Sequence, residues 1–209
     1  MNSKFPEKIP IFPLQGVIFF PETNLPLNIF ENRYLEMVEN SLNSNNLVGM
    51  IQSREINKEI FQVGCLGKIV RHNRTSDGRI LIDLMGLTRF KIHEEIESKK
   101  LYREFKVNYD DFKEDLNPSN YKIDKDLIKK LINNSKKFFE KNNMIINWYE
   151  LSKLRPFQQV YTLAMISPIS ITEKQKLLEI VDLSEIANTL NKIVEIGSYQ
   201  NLNERNSIQ

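Results

Sequence analysis

The first half of the chain alternates short apolar runs with turn-forming residues. The runs are rich in β-branched and aromatic residues and are bounded by Pro, Gly, Asn or Asp, which is the pattern of β-strands. Asp77-Gly78 separates two of the runs and supplies the positive backbone φ of a tight hairpin. We therefore predict a β domain over residues 1–110. Its strands are expected at IPIFPL, LPLNIF, LVGMIQ, GCLGKIVRH, RILIDLMG, TRFKIHE and YREFKVNYDDF.

Apolar residues recur at helical spacing in two parts of the chain. Within the β domain, this spacing predicts one helix over 31–43. Residues 111–123 are polar and contain a Pro, so we predict a linker there. A helical subdomain is predicted over 124–200, followed by a flexible polar tail over 201–209. Its helices are expected at 124–141, 145–153, 156–166, 172–181 and 183–197, with starts marked by Pro156, by Thr172 with Gln175, and by Asp182 with Glu185.

Composition and charge narrow the class of protein. The 209 residues are 41% hydrophobic and 27% charged, which is typical of a soluble globular chain with a core. The net charge of +2 is too small to indicate general electrostatic binding of nucleic acid. The single Cys, the lack of any apolar segment of about 18 residues and the lack of a leader-like start predict a cytoplasmic protein without membrane association. This length suits a binding module better than an ATP-driven machine.

The sequence carries no recognisable catalytic signature. None of its seven Gly forms a phosphate-binding loop, and no nucleophile elbow or Ser-Lys peptidase pattern is present. His72 and His93 lack partners at metal-ligand spacing and are expected on strand surfaces. Cys65 lies in an apolar run and is expected to be a small buried side chain. We predict no catalytic residue, no metal site and no cofactor.

Five motifs in the β domain occur in an order that resembles the N-terminal substrate-binding domain of the Lon proteases. They are Phe12-Pro13 with Phe20-Pro21, the stretch from Leu25 to Tyr34 (LPLNIFENRY), Val63-Gly64, Gly78-Arg79, and Gly86 with Arg89-Phe90. The helical part, from FQQVYTLAMI onward, is also similar to stand-alone bacterial Lon-domain proteins. The resemblance is weakest over 95–150. It departs from the family pattern at Glu22, where Gly is usual, and at Asn28, where His is frequent.

The resemblance implies an α+β fold, with a PUA-like β pseudo-barrel that contains one helix, followed by a C-terminal α-helical bundle. In a closed small barrel, five aliphatic residues are expected to fill the interior and leave little room for a ligand. A full Lon protease continues into an ATPase and a Ser-Lys peptidase domain, and the sequence carries the signature of neither. We therefore expect a non-catalytic binding module and not a protease. The interior residues are Ile69, Ile80, Ile82, Leu84 and Ile92.

The same motifs supply the candidate binding residues. Glu31 and Arg33 stand two residues apart, so each is expected to pair elsewhere, with Arg89 or a backbone carbonyl. An exposed apolar patch suits unfolded segments, because hydrophobic contact is non-directional and tolerates many sequences. We expect Phe12, Phe20 and Phe30 in the core. We expect Phe19, Leu25 and Met37 near the surface. The predicted peptide-binding residues are Phe19, Leu25, Phe30, Arg33, Tyr34 and Met37.

Unfolded proteins or peptides are the predicted partners, with delivery to a separate protease or chaperone. A homodimer is left open. The alternative function is RNA binding, since the PUA-like fold also serves that purpose and basic residues bracket the predicted hairpin. A solvated hairpin with screened charges is the favoured interpretation of these residues. They are Lys68, Arg71, His72, Arg74 and Arg79. A hidden hydrolase site is a third hypothesis, and no residue supports it.

Overall fold

The computed structural model describes residues 5–54 and 59–205, and the chain divides into two units, Met1–Pro118 and Ser119–Gln209. Unit 1 holds the strands, and unit 2 holds most of the helices, which confirms the α+β class. The described elements of unit 1 are β1 (Lys8–Gln15), β2 (Asn24–Ile29), α1 (Asn32–Leu42), β3 (Leu47–Ser53), β4 (Ile60–Arg74), β5 (Ile80–Ile96), β6 (Arg103–Asn108) and a 3₁₀ helix (Asp110–Leu116). A short 3₁₀ turn (Pro118–Asn120) spans the boundary. The described helices of unit 2 are α2 (Lys125–Lys141), α3 (Trp148–Lys153), α4 (Pro156–Ile166), α5 (Ile171–Glu179) and α6 (Leu183–Arg205).

Five strands of unit 1 close into a ring. The sheet order is β2-β5-β4-β3-β1-β6, and β6 also pairs with β5. β1 and β3 run parallel, whereas the other pairs are antiparallel. β2 lies outside the ring, because among the described strands it pairs with β5 alone, over the first part of that strand. The ring confirms the pseudo-barrel that the sequence resemblance implied.

Aliphatic side chains of β4 and β5 are buried in unit 1. Successive side chains of a strand point to opposite faces, so every second residue of β5 enters the core. Ile80, Ile82 and Leu84 follow this alternation and are buried, and Ile69 of β4 is buried beside them. Ile92 is only partly buried and packs against a separate core cluster, which includes Leu66, Phe90 and Phe105. Four of the five predicted interior residues are therefore buried, and both Phe12 and Phe20 are in the core as expected.

Left-handed backbone occurs at two turns of unit 1 that the sequence motifs include. Gly78 has a φ of 88°, as predicted for the hairpin between β4 and β5. Glu22, where the family usually has Gly, keeps a φ of 58° just before β2. A side chain with a Cβ is strained in this region of backbone space, whereas Gly is not. The departure at Glu22 therefore leaves the turn geometry in place and stores strain there.

We expect Glu22→Gly to raise the free energy of unfolding of unit 1 by about 0.5–1 kcal/mol, because it relieves this backbone strain. The gain is smaller than the full strain energy, because glycine also makes the unfolded chain more flexible. Urea unfolding followed by far-UV circular dichroism measures the change. Asn46→Gly is the matched control, since Asn46 has a φ of 60° but Asn tolerates this conformation. An equal gain in the two variants, or a loss in Glu22→Gly, contradicts the prediction.

A buried ion pair fixes the 3₁₀ helix to the ring. The Arg89 guanidinium donates from Nη2 to Asp115 Oδ1 at 2.8 Å and from Nε to Oδ2 at 3.0 Å. The Arg89 backbone N–H also donates to Asp115 Oδ2, at 2.8 Å. The two side chains are 1% and 0% exposed. The guanidinium lies 4.5 Å from the centre of the Phe112 ring, which is buried as well. Residues 110–116 therefore belong to unit 1, which corrects the linker predicted to begin at residue 111.

Helix starts in unit 2 follow local capping. Pro156 begins α4 as predicted. Helix α5 begins earlier than predicted, at Ile171, because the capping box is formed by Ser170 and Glu173 and not by Thr172 and Gln175. Glu185 donates its backbone N–H to Asp182 at the start of α6, in agreement with the predicted cap. The last helix continues to Arg205, past the predicted start of the tail at residue 201, and residues 206–209 lie outside the described residues. Within the described ranges, no helix combines the length and the apolar character needed to cross a membrane.

Candidate functional site

The start of β2 is held tightly against β5. Glu22 donates its backbone N–H to the carbonyl of Gly86 at 2.9 Å, and Gly86 donates its N–H to the carbonyl of Thr23 at 3.0 Å. A Cβ at Gly86 would lie 2.1 Å from the Phe20 carbonyl oxygen, so this close approach requires glycine. Asn24 then pairs with Met85 and sets the register of the whole β2–β5 ladder.

Apolar side chains are exposed where β2 ends. Phe30, directly after the strand, is 64% exposed, and Leu81, which lies opposite Asn28 in the ladder, is 43% exposed. Pro26 is exposed on the same strand. A cavity of about 540 Å³ opens across this part of the sheet. It is lined by residues 26–28 of β2, 81–83 of β5 and 71–73 of β4. We call Pro26, Phe30 and Leu81 together with this cavity the β2 surface.

The entry to α1 is fixed beside the β2 surface. Arg33 donates to Glu31 Oε2 from Nη2 at 2.6 Å and from Nε at 3.0 Å. The expectation that these two residues pair elsewhere was therefore wrong. Glu31 caps the helix with an extended backbone (φ −77°, ψ 135°), so the spacing rule for two helical residues does not apply. Arg33 also lies 4.7 Å from the centre of the Tyr34 ring.

Tyr34 and Met37 point into unit 1. The Tyr34 ring packs edge-on against Phe12, with the ring centres 4.5 Å apart. Burial raises the pKa of the Tyr34 hydroxyl, and the positive charge of Arg33 acts against this rise. Met37 is 1% exposed on the inner face of α1. Tyr34 and Met37 therefore pack α1 against the core of unit 1 and offer little surface to a ligand.

The structure corrects several of the expected positions. Phe19 is 1% exposed, because it lies between Ile18 and Phe20 in a fully buried segment. Its expected surface position was wrong, and so was that of Met37. Phe30 was expected in the core, but it follows the last buried residue of β2, Ile29, and projects outward. Leu25 and Arg33 are half-buried. Of the six predicted residues, Phe30 alone is largely exposed.

Sequence reasoning missed Leu81 and Pro26 as surface residues of this site. The alternation of β5 contained the signal for Leu81, because Ile80 and Ile82 were assigned to the interior and the residue between them must then face outward. Pro26 lacks a backbone N–H, which is tolerated on an edge strand. Both positions were therefore accessible to prediction from the strand pattern.

Carboxylates neutralise most of the basic residues around the hairpin. Arg71 Nε lies 2.7 Å from Asp83 Oδ2, and Arg79 Nε lies 2.8 Å from Asp77 Oδ2. Arg74 forms an ion pair with Glu39 of α1. Lys68 is exposed on β4. Three of the five residues proposed to contact RNA are thus engaged by acidic partners, and the RNA alternative finds no support here.

The reactive side chains of the β domain are where they were expected. Cys65 is fully buried, and burial raises the pKa of its thiol well above the ordinary value. A thiol that remains protonated at neutral pH is a poor nucleophile. His72 and His93 are exposed on β4 and β5. These positions agree with the structural roles predicted for all three residues.

A closed β ring with an outlying strand, followed by a helical unit, defines a two-unit α+β domain with an apolar surface at the strand's end. The family model described as "ATP-dependent protease La (LON) substrate-binding domain" matches residues 8–195. The chain belongs to this family.

Whole-protein relatives and solved structures agree with that assignment. The chain is 26% identical to the Lon protease of Dictyoglomus thermophilum over 199 residues, which is 88% of this chain and 24% of that protein. It is 27% identical to the Lon protease of Buchnera aphidicola over 93% of this chain and 26% of that protein. The chain thus spans about a quarter of the length of these curated relatives.

Two solved structures share the fold. The N-terminal domain of the Mycobacterium avium complex Lon protease superposes with a TM-score of 0.63 at 14% identity, over 90% of this chain and 97% of that one. The Lon N-terminal domain protein from Xanthomonas campestris gives a TM-score of 0.61 at 18% identity, over 88% of this chain and 96% of the other. These likenesses confirm the fold that the sequence motifs implied.

Proposed function

We propose that the chain is a non-catalytic module that binds unfolded or hydrophobic polypeptide segments through the β2 surface, and that it passes them to a separate protease or chaperone in the cytoplasm. The observation that carries the proposal is the exposure of Phe30 and Leu81 at the end of a strand that is itself rigidly placed. Aromatic residues on a fixed scaffold make good anchors, because burying them gains apolar contact at low entropic cost. Membership of a substrate-binding family supports the same role.

The charges around the β2 surface favour uncharged segments. Arg71 and Arg79 are each paired with a carboxylate, so the surroundings offer little net charge to attract an acidic or basic ligand. Hydrophobic contact then supplies most of the affinity, and binding is expected to depend only weakly on salt. Formation of a homodimer stays a prediction.

We expect the protein to distinguish an unfolded chain from its folded form without ATP. The probe is fluorescein-labelled α-lactalbumin, either native or reduced and carboxymethylated, and fluorescence anisotropy gives the Kd. The unfolded form should bind at least about tenfold more tightly, because only that form offers extended apolar segments. Equal affinity for the two forms, or no binding by protein whose circular dichroism shows an intact fold, contradicts the proposed function.

A further inference from the structure

β2 has an open edge. It is the terminal strand of the sheet and, among the strands that the structure describes, it pairs with β5 alone. An open edge presents a row of backbone N–H and C=O groups, which is a template for another extended chain. The outward residues of β2 are also exposed: Asn24, Pro26 and Asn28.

The ladder register shows which backbone groups face that edge. Asn24 lies opposite Met85, so Thr23 lies opposite Gly86. Gly86 directs both backbone groups toward this strand, because its N–H donates to the Thr23 carbonyl and its carbonyl accepts from the Glu22 N–H, so Gly86 and Thr23 mark a pair on the hydrogen-bonded side of the ladder. Such pairs recur at every second residue of an antiparallel ladder. The odd-numbered residues of β2 therefore direct their backbone groups toward β5, and the even-numbered residues direct theirs toward the open edge.

Two donors and three acceptors are thus offered at the edge. Asn24 and Asn28 present both N–H and C=O groups, whereas Pro26 presents only its carbonyl. The same register places Pro26 where its missing N–H takes no bond away from β5. From this geometry we propose that an extended segment of client polypeptide adds to β2 as a further strand, a mode of binding that rests on the proposed function and specifies how the client is held.

Pro26 favours a client over a second copy of the chain. Two β2 strands that paired about a twofold axis at Pro26 would lack both hydrogen bonds of the central pair, since neither proline has an N–H. When Pro26 pairs with a client residue other than proline, only one of the two hydrogen bonds of the pair is missing. Proline on an edge strand is a common protection against edge-to-edge association. The open edge is therefore better suited to an extended segment of another protein.

The surroundings select the chemistry of the client strand. In an added strand, the client residues that pair with Asn24, Pro26 and Asn28 point to the same face of the sheet as these three residues. That face carries the 540 Å³ cavity and the exposed Leu81. The nearby Arg71 and Arg79 are paired with carboxylates, so the rim complements an uncharged strand. The favoured client is an uncharged segment with apolar residues at alternate positions.

Backbone methylation of a peptide tests this proposal without altering the protein. The probe is a fluorescein-labelled, uncharged nonapeptide in which apolar residues alternate with Thr, together with a series that carries one N-methyl group at each successive position. We expect the Kd to rise about fivefold or more at every second position and less than about twofold at the others, because only alternate N–H groups face β2. Uniform effects along the series overturn the proposal.

A protein variant provides the complementary measurement. Asn28→Pro removes an edge N–H that makes no bond to β5, and it should raise the Kd of the nonapeptide about fivefold. Asn28→Ala is the comparison variant, because it removes the same side chain and keeps the N–H, and the Kd of Asn28→Pro should exceed that of Asn28→Ala about fivefold. Equal effects of the two variants contradict the edge mode. If Asn28→Pro does not fold, the methylated series decides alone.

The outcomes separate this inference from the proposed function. Failure of both the nonapeptide and unfolded α-lactalbumin to bind contradicts the proposed function itself. Binding without alternation along the methylated series overturns only the edge mode. If the unmodified protein sediments as a dimer, and the nonapeptide dissociates that dimer, the edge binds a second copy of the chain. This result also overturns the proposal.

Discussion

Replacing Asp115 by Ala is expected to destabilise unit 1 by about 3–5 kcal/mol. The substitution leaves the Arg89 guanidinium buried without its carboxylate, and an unpaired charge away from water is among the most costly defects in a folded protein. It also removes the acceptor of the Arg89 backbone N–H. The 3₁₀ helix that carries Asp115 then loses its main polar attachment to the ring.

The reactivity of Cys65 measures the loss of stability in the Asp115→Ala variant. It is the only cysteine of the chain and is fully buried in unit 1, so its reaction with a thiol reagent reports opening of the ring and not of unit 2. A loss of about 3 kcal/mol raises the reaction rate about 100-fold when opening and closing are fast. Urea unfolding gives the same comparison at equilibrium.

Asp110→Ala is the matched control, because Asp110 lies in the same 3₁₀ helix. Its carboxylate is 73% exposed and pairs with Lys113 at 3.1 Å, a surface contact worth little. The change should stay within about 0.5 kcal/mol. A double variant, Arg89→Met with Asp115→Leu, should be less destabilised than Asp115→Ala, since it buries no charge. Similar stability of Asp115→Ala and Asp110→Ala contradicts a structural role for the buried pair.

Local patterns located most helices and strands, but the runs RILIDLMG and TRFKIHE, predicted as two strands, form the single strand β5. The apolar period over 31–43 corresponds to α1 at Asn32–Leu42, and the start signal at Pro156 corresponds to α4 at Pro156–Ile166. The ring itself came from the resemblance and not from periodicity, because pairing between distant strands leaves no local signal. The 3₁₀ helix was missed for the same reason. Its sequence is polar, and nothing near Asp115 indicates a partner on a strand that begins at residue 80.

The site was only partly predictable. The motif from Leu25 to Tyr34 located the junction correctly, but residue type did not separate its core members from its surface members. Met37 and Tyr34 lie on the inner face of α1, whereas Phe30 lies in the short connection between strand and helix and has no periodic neighbour to place it. The outward position of a connecting residue depends on where the strand ends, and sequence patterns define ends less well than centres.

Phe30→Ser is expected to weaken binding of an unfolded chain by about tenfold or more. Phe30 is the most exposed aromatic side chain described in unit 1, and covering it with a client removes a large apolar area from water. A hydroxyl in its place gains nothing comparable. Because the ring is already exposed in the free protein, the substitution should leave the free energy of unfolding nearly unchanged. The effect is therefore one on recognition and not on folding.

Leu101→Ser is the matched control for this variant. Leu101 is 62% exposed and lies in the connection between β5 and β6, so it offers a similar apolar loss on the same unit away from the β2 surface. The most direct test of the proposed function is an anisotropy titration of both variants with fluorescein-labelled, reduced and carboxymethylated α-lactalbumin in the absence of nucleotide. We predict about tenfold or greater weakening for Phe30→Ser and less than about twofold for Leu101→Ser. Equal affinities of the two variants would contradict recognition of clients through the β2 surface.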